Sequence, residues 1–137
     1  MKKTIFIAGM LILLLSCVNA KKMLENDKTD KIFFGRRGGF TNIPEEYVLF
    51  ENGKVCKMQN DSVKPIQKIS RHRMKSIDSI MAAVNFKEII LDEPGNMTYF
   101  IRAERKDFRN EVKWSDSSAN DAVSGLYATL ISTLKDK

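Results

Sequence analysis

The sequence predicts an α+β fold: a largely antiparallel sheet of about five strands, with two helices near 71–84 and 119–135 packed on one face. Three observations carry that expectation. Strand-like runs from Tyr47 to Glu51 and from Lys54 to Met58 flank Asn52-Gly53, the strongest short hairpin signal. Apolar residues recur at helical spacing from Met74 to Val84, and again from Ala122 to Leu134.

The folded part follows a charged and then apolar start. Met1-Lys2-Lys3 leads into an almost unbroken apolar run from Thr4 to Leu15, and a small residue, Ser16, precedes Cys17. This is the layout of a secretory signal. A spanning helix needs roughly 20 apolar residues, whereas this run is shorter and gives way to Val18-Asn19-Ala20-Lys21-Lys22. The ending Leu14-Leu15-Ser16-Cys17 resembles the lipobox of bacterial lipoproteins. It implies that Cys17 receives a diacylglycerol, becomes the first residue after cleavage and is then acylated on its amine. Each buried methylene contributes about 0.8 kcal/mol, so two or three acyl chains hold a protein durably where one does not. Val18-Asn19-Ala20 also suits ordinary cleavage after Ala20, and that alternative stays open. The expected organisation is a signal peptide over 1–16, a lipid anchor and flexible polar tether over 17–31, and one domain over 32–137. Val18, where Asp would favour the inner membrane, points to the outer membrane, with either leaflet open.

The chain carries a net charge of +6, which falls to +4 when Lys2 and Lys3 leave with the signal. In an exported protein so modest a balance points to anionic head groups or acidic glycans before nucleic acid. With Cys17 taken by the anchor, Cys56 has no partner for an intramolecular disulfide. Strand periodicity places it on an inward face, as a small hydrophobe.

Order is expected to begin near Ile32-Phe33-Phe34. The following Gly35-Arg36-Arg37-Gly38-Gly39-Phe40-Thr41 matches neither the dinucleotide fingerprint nor a P-loop, and Pro44 falls where a phosphate-binding helix would begin. The glycines therefore read as a bend or bulge in an edge strand, with Arg36 and Arg37 as candidate contacts to an anionic partner. A two-residue Asn52-Gly53 turn pairs Phe50 with Val55, Leu49 with Cys56 and Tyr47 with Met58. Tyr47, Leu49, Cys56 and Met58 then share one face, and Val48, Phe50 and Val55 the other. Gln59 to Lys68, with Pro65, reads as a loop or an irregular edge.

Ser70 is placed to cap the helix beginning at Arg71. Arg71, His72 and Arg73 occupy its first turn, where the helix dipole favours acids. From Lys64 to Lys75 there are five basic side chains, one histidine and no acid. Lys68, Arg71, Arg73 and Lys75 are thus candidate anion-binding residues. A short extended piece over 88–91 precedes a turn at Asp92-Glu93-Pro94-Gly95-Asn96. Met97 to Arg105 and Phe108 to Trp114 form a second strand pair, and Ser118-Ala119-Asn120-Asp121 resembles a capping box for the closing helix.

Little in the chain selects a reaction. The one histidine, His72, starts a basic helix while Cys56 points into a sheet, and structural zinc sites usually recruit four Cys or His ligands. No catalytic residue, metal or cofactor is expected.

The Gly38-Gly39-Phe40-Thr41 segment, the Tyr47-x-Leu49-x-x-x-Gly53 hairpin, Glu93-Pro94-Gly95-Asn96-Met97-Thr98-Tyr99-Phe100 and the Trp114-Ser115 strand end together resemble a group of small lipoproteins from Bacteroidota-type bacteria, over about residues 32–135. The chain departs from that pattern at Asn42 and Ser115, where glycine is usual. The resemblance implies the architecture and an envelope location, and it transfers no catalytic residue. Asp61-Ser62-Val63 and Asp78-Ser79-Ile80 also resemble the O-glycosylation acceptor of such bacteria. The expected function is a non-enzymatic envelope module, held to the membrane through Cys17, that binds a protein or glycan. A small hydrolase acting on glycan or cell-wall substrate is the alternative.

Overall fold

The computed structural model describes residue 24 and residues 26–135, so the signal segment, Cys17 and the first part of the tether lie outside the described residues. Six strands form one antiparallel sheet: β1 (Lys31–Gly38), β2 (Glu45–Phe50), β3 (Lys54–Gln59), β4 (Ser62–Lys68), β5 (Met97–Glu104) and β6 (Arg109–Trp114). Their order across the sheet is β4-β3-β2-β1-β5-β6. Two helices, α1 (Arg71–Ala83) and α2 (Asp121–Ser132), complete the α+β architecture.

Alternation along the strands decides where the helices go. Ile32, Phe34, Leu49, Val55, Ile101 and Val112 point to one face and are essentially inaccessible. They pack with Met74, Ile77 and Met81 of α1 and Val123, Leu126 and Leu130 of α2 in a single core. Each such side chain contributes about 1.5–3 kcal/mol on burial, which makes this layer the main source of stability. At the start of α1, Ser70 Oγ accepts from Arg73 N at 3.1 Å, as expected. The helix ends where Asn85 turns left-handed at φ 50°.

Four expectations are corrected. First, β1 is a central strand, paired on one side with β2 and on the other with β5, so Gly35 does not bend an edge. A Cβ at Gly35 would run into the carbonyl oxygen of Glu45, and glycine there lets two backbones close together. Second, the hairpin register is shifted by one residue: Leu49 faces Val55 and Val48 faces Cys56. Gly53 alone takes a positive φ, of 84°, and its N–H donates to Phe50 O at 2.9 Å. The connection is the three-residue form with a left-handed glycine, and the one-residue slip moves Cys56 and Met58 to the face away from the helices. Third, Asn120 caps α2, its Oδ1 accepting from Ala122 N at 3.0 Å and Val123 N at 3.3 Å. Ser118 Oγ instead accepts from Ser115 N and donates to Glu93 O. Fourth, order reaches back past Ile32. Leu24 is buried, Asp27 Oδ1 accepts from both Thr29 N and Thr29 Oγ, and Lys31 Nζ donates to Asp27 O and Thr29 O.

The edges depart from regularity in ways that the residues explain. Within residues 59–68, read as a loop or irregular edge, Ser62–Lys68 is the edge strand β4, with Pro65 tolerated beside a register shift at Val55/Cys56. At the other edge Asp92 bridges Lys113 in parallel, fixed by Lys113 N donating to Leu91 O and Glu93 N to Lys113 O. The face away from the helices is divided. One part, over β3, β2, β1 and β5, carries Leu24, Phe33, Val48, Cys56, Met58 and Phe100 as a second cluster. Another part is charged: Glu104 of β5 meets Lys31, Arg102 and Arg109 at 3.5, 3.3 and 3.1 Å. Among the described residues no helix is long and apolar enough to cross a membrane.

Candidate functional site

The glycine and arginine segment ends beside an aromatic shelf. On the helix side, strand pairing sets Glu45, Arg36, Tyr99 and Trp114 in one row across β2, β1, β5 and β6. The next row inward holds Lys57, Tyr47, Phe34, Ile101 and Val112. Tyr127 of α2 descends onto the outer row, edge-on to Tyr99 at 5.6 Å and to Trp114 at 5.4 Å between ring centroids. Tyr99 stacks on Trp114 at 5.8 Å, and Tyr47 on Phe34 at 5.6 Å. Trp114 and Phe34 are buried, while the three tyrosines keep part of their surface in solvent.

Arg36 sits in the middle of this shelf. Its Nε donates to Glu45 Oε2 at 2.8 Å, which raises the guanidinium pKa and lowers that of the Glu45 carboxyl. Burial pushes the Tyr127 hydroxyl up to about 12, against a smaller opposing pull from Arg36. Tyr99 is raised by burial and by a hydrogen bond to Asp116, and Tyr47 by burial and then by Glu45. The hydroxyls therefore stay neutral donors and acceptors at ordinary pH. Rings with one wet edge, a fixed cation and two carboxylates are suited to gripping a ligand that is part apolar and part polar.

The β1–β2 connection stands beside the shelf. Gly39 N donates to Asn96 O at 2.8 Å, tying it to the Pro94-Gly95-Asn96 turn. Asn42 is left-handed at φ 48°, a conformation that asparagine tolerates in place of glycine. Between these anchors Phe40 is fully exposed, and just after Asn42 Ile43 is 67% exposed.

The candidate residues read from sequence do not form one site. Arg36 and Arg37 diverge: Arg37 lies on the opposite face, paired with Glu46 and 4.8 Å above the Phe100 ring. Lys68, Arg71 and Lys75 are exposed at and beyond the β4 edge, far along the strand order from β1. Arg73 turns inward and donates to Ser132 Oγ, tying α1 to α2. Cys56 is buried, and burial raises its thiol pKa. Cys17 lies outside the described residues.

A cleft of about 410 Å³ opens on the other end of the sheet, between α1 and the β5–β6 hairpin. Asp30, Asp78, Phe86, Arg105 and Phe108 line it. Arg105 engages Asp78 at 2.7 Å and Asp30 at 3.8 Å, so two of its carboxylates are committed to an ion pair. Among the described residues no three His, Cys, Asp or Glu side chains converge to hold a metal ion. The aromatic shelf was missed in the sequence, because its members come from five separate elements. The one usable signal was the Gly35-Arg36-Arg37-Gly38-Gly39 segment beside which it forms. Compared with protein-family models the chain matches none, and no curated protein matches it.

Proposed function

We propose that the protein is an envelope lipoprotein, held to the membrane through acylated Cys17, whose domain is a non-enzymatic module that binds a protein partner. The observation that carries the binding surface is Phe40, fully exposed on a connection pinned beside the shelf of Tyr47, Tyr99, Tyr127 and Arg36. Exposed apolar anchors next to tyrosine and arginine have the composition of binding hot spots. The backbone ties at Gly39 and Asn42 support a preformed loop, which lowers the ordering cost on binding. The lipobox resemblance supports the anchor, and the arrangement suits an accessory subunit of an envelope assembly.

Crosslinking in intact cells, followed by affinity isolation of the tagged full-length protein, tests this reading. A stoichiometric protein partner is expected with the anchored form. The double substitution Phe40→Ser, Ile43→Ser is expected to remove it while leaving the unfolding midpoint unchanged, since both side chains are already in solvent. Recovery of the same partner with that variant would overturn the shelf and loop as the binding surface. Absence of any protein partner from the anchored full-length protein would overturn the binding-module reading.

A further inference from the structure

We propose that the β3–β4 edge and the first turns of α1 form a cationic surface that rests on anionic head groups of the bilayer carrying the Cys17 lipid; this rests on the anchored reading above. Strand register sets like charges opposite one another along this edge, one pair towards each face of the sheet. Lys54 faces Lys68 and Lys57 faces Lys64 across the β3–β4 pair. Like charges directly opposite one another disfavour a strand pair. The same sign continues into α1, whose first turn holds Arg71 and His72 and no acid, although the dipole there favours acids. Ile69 N donates to Gly53 O at 2.9 Å, so the start of α1 is held against the start of β3 and the edge is continuous. Among the described residues Lys54, Lys64, Lys68, Arg71 and Lys75 make no ion pair. Several carboxylates are engaged with other cations, Glu45 with Arg36, Glu46 with Arg37, Asp78 with Arg105, and Glu104 with Arg102 and Arg109, while Glu51 and Asp61 stand in the turns at the two ends of β3. A cationic edge assembled against local repulsion, whose lysines make no ion pair among the described residues, is suited to an external anion.

Chain connectivity selects the bilayer as the source of that anion. Leu24 is buried in a cluster with Phe33 of β1, Val48 of β2, Cys56 and Met58 of β3 and Phe100 of β5, against which Val63 of β4 packs. It therefore docks on the sheet face away from the helices, a face that runs out to the cationic edge. Cys17 precedes it by only seven residues, a reach of about 25 Å at full extension. That reach takes in β3 and β4, so these lysines can come within a Debye length, about 8 Å, of the head groups. A lipid chain and a basic patch acting together give stable membrane association where either alone is marginal. Most of the aromatic shelf lies across the sheet from this edge, on β1, β5 and β6, and stays available to a partner.

The test is amine-acylation footprinting of the processed full-length protein reconstituted into phosphatidylcholine vesicles, alone or mixed with phosphatidylglycerol, with intact mass read on the same sample. Labelling of Lys54, Lys64, Lys68 and Lys75 is expected to fall about threefold or more on the anionic vesicles and to recover in high salt. Lys87 and Lys106, exposed at the other side of the sheet, serve as internal references that stay unchanged. The variant Lys64→Gln, Lys68→Gln, altered only at exposed positions, is expected to lose the protection of Lys75. Equal labelling on both vesicles, with the lipid present in the mass, would overturn the cationic docking edge while the anchor stands. Protection by soluble heparin but not by anionic vesicles would also overturn it and assign the edge to acidic glycans. A mass without lipid on Cys17 would overturn the anchored reading, and this one with it.

Discussion

Gly35 and Tyr127 show how single residues hold the two sides of the shelf. At Gly35 the β1 and β2 backbones approach so closely that a methyl group would meet the Glu45 carbonyl, the residue whose carboxylate fixes Arg36. Gly35→Ala is expected to cost about 3 kcal/mol by prising these strands apart, measured as a lower denaturant midpoint. Tyr127 carries a pH signature. Its folded-state pKa is raised to about 12 by burial, while the unfolded chain ionises near 10, so the folded state keeps a proton that the unfolded state loses. The stabilisation is complete below pH 10 and disappears as pH rises through 12. Discounting for partial exposure, about 2 kcal/mol should be lost over that window. Urea unfolding across this range should show the decline, and Tyr127→Phe should flatten most of it. None of this was legible in the sequence. A glycine run and scattered tyrosines become a shelf only once Glu45, Arg36, Tyr99 and Trp114 fall into one row.

At the scale of the elements, what was readable was local. Both helices follow from apolar spacing, and Ser70 begins α1 as its residue type suggests. The cap of α2 was misplaced by two residues, because Ser118 is drawn away to Ser115 and Glu93, contacts with no signature in the sequence. Asn120→Ala should remove both cap hydrogen bonds and lower stability by about 1 kcal/mol, visible as a reduced melting temperature with unchanged helix content below the transition. The hairpin shows the limit more sharply. Asn52-Gly53 marks the turn but not whether the loop has two residues or three, and the extra residue reverses which face Cys56 and Met58 take. Likewise β1 could not be recognised as central, because β5, its second neighbour, arrives much later in the chain.

Across the whole molecule the sheet separates three tasks. Its helix side holds the core, with the shelf at one margin; its opposite face receives Leu24; its β4 edge gathers positive charge. The fold class was legible because alternation and helical spacing are repeated along the chain, and the sixth strand differs from the expectation only by an edge that Pro65 disguised. The proposed location rests only on Leu14 to Cys17, a stretch outside the described residues. Everything proposed for the molecule depends on that stretch, since the tether, the cationic edge and an envelope partner all presuppose a domain fixed at a bilayer. The decisive measurement is the intact mass of the protein extracted from membranes. A chain beginning at Cys17 and carrying the added mass of a diacylglycerol and an amide-linked acyl group is the expected result. A chain beginning at Lys21, or one retaining its first twenty residues, would contradict the account.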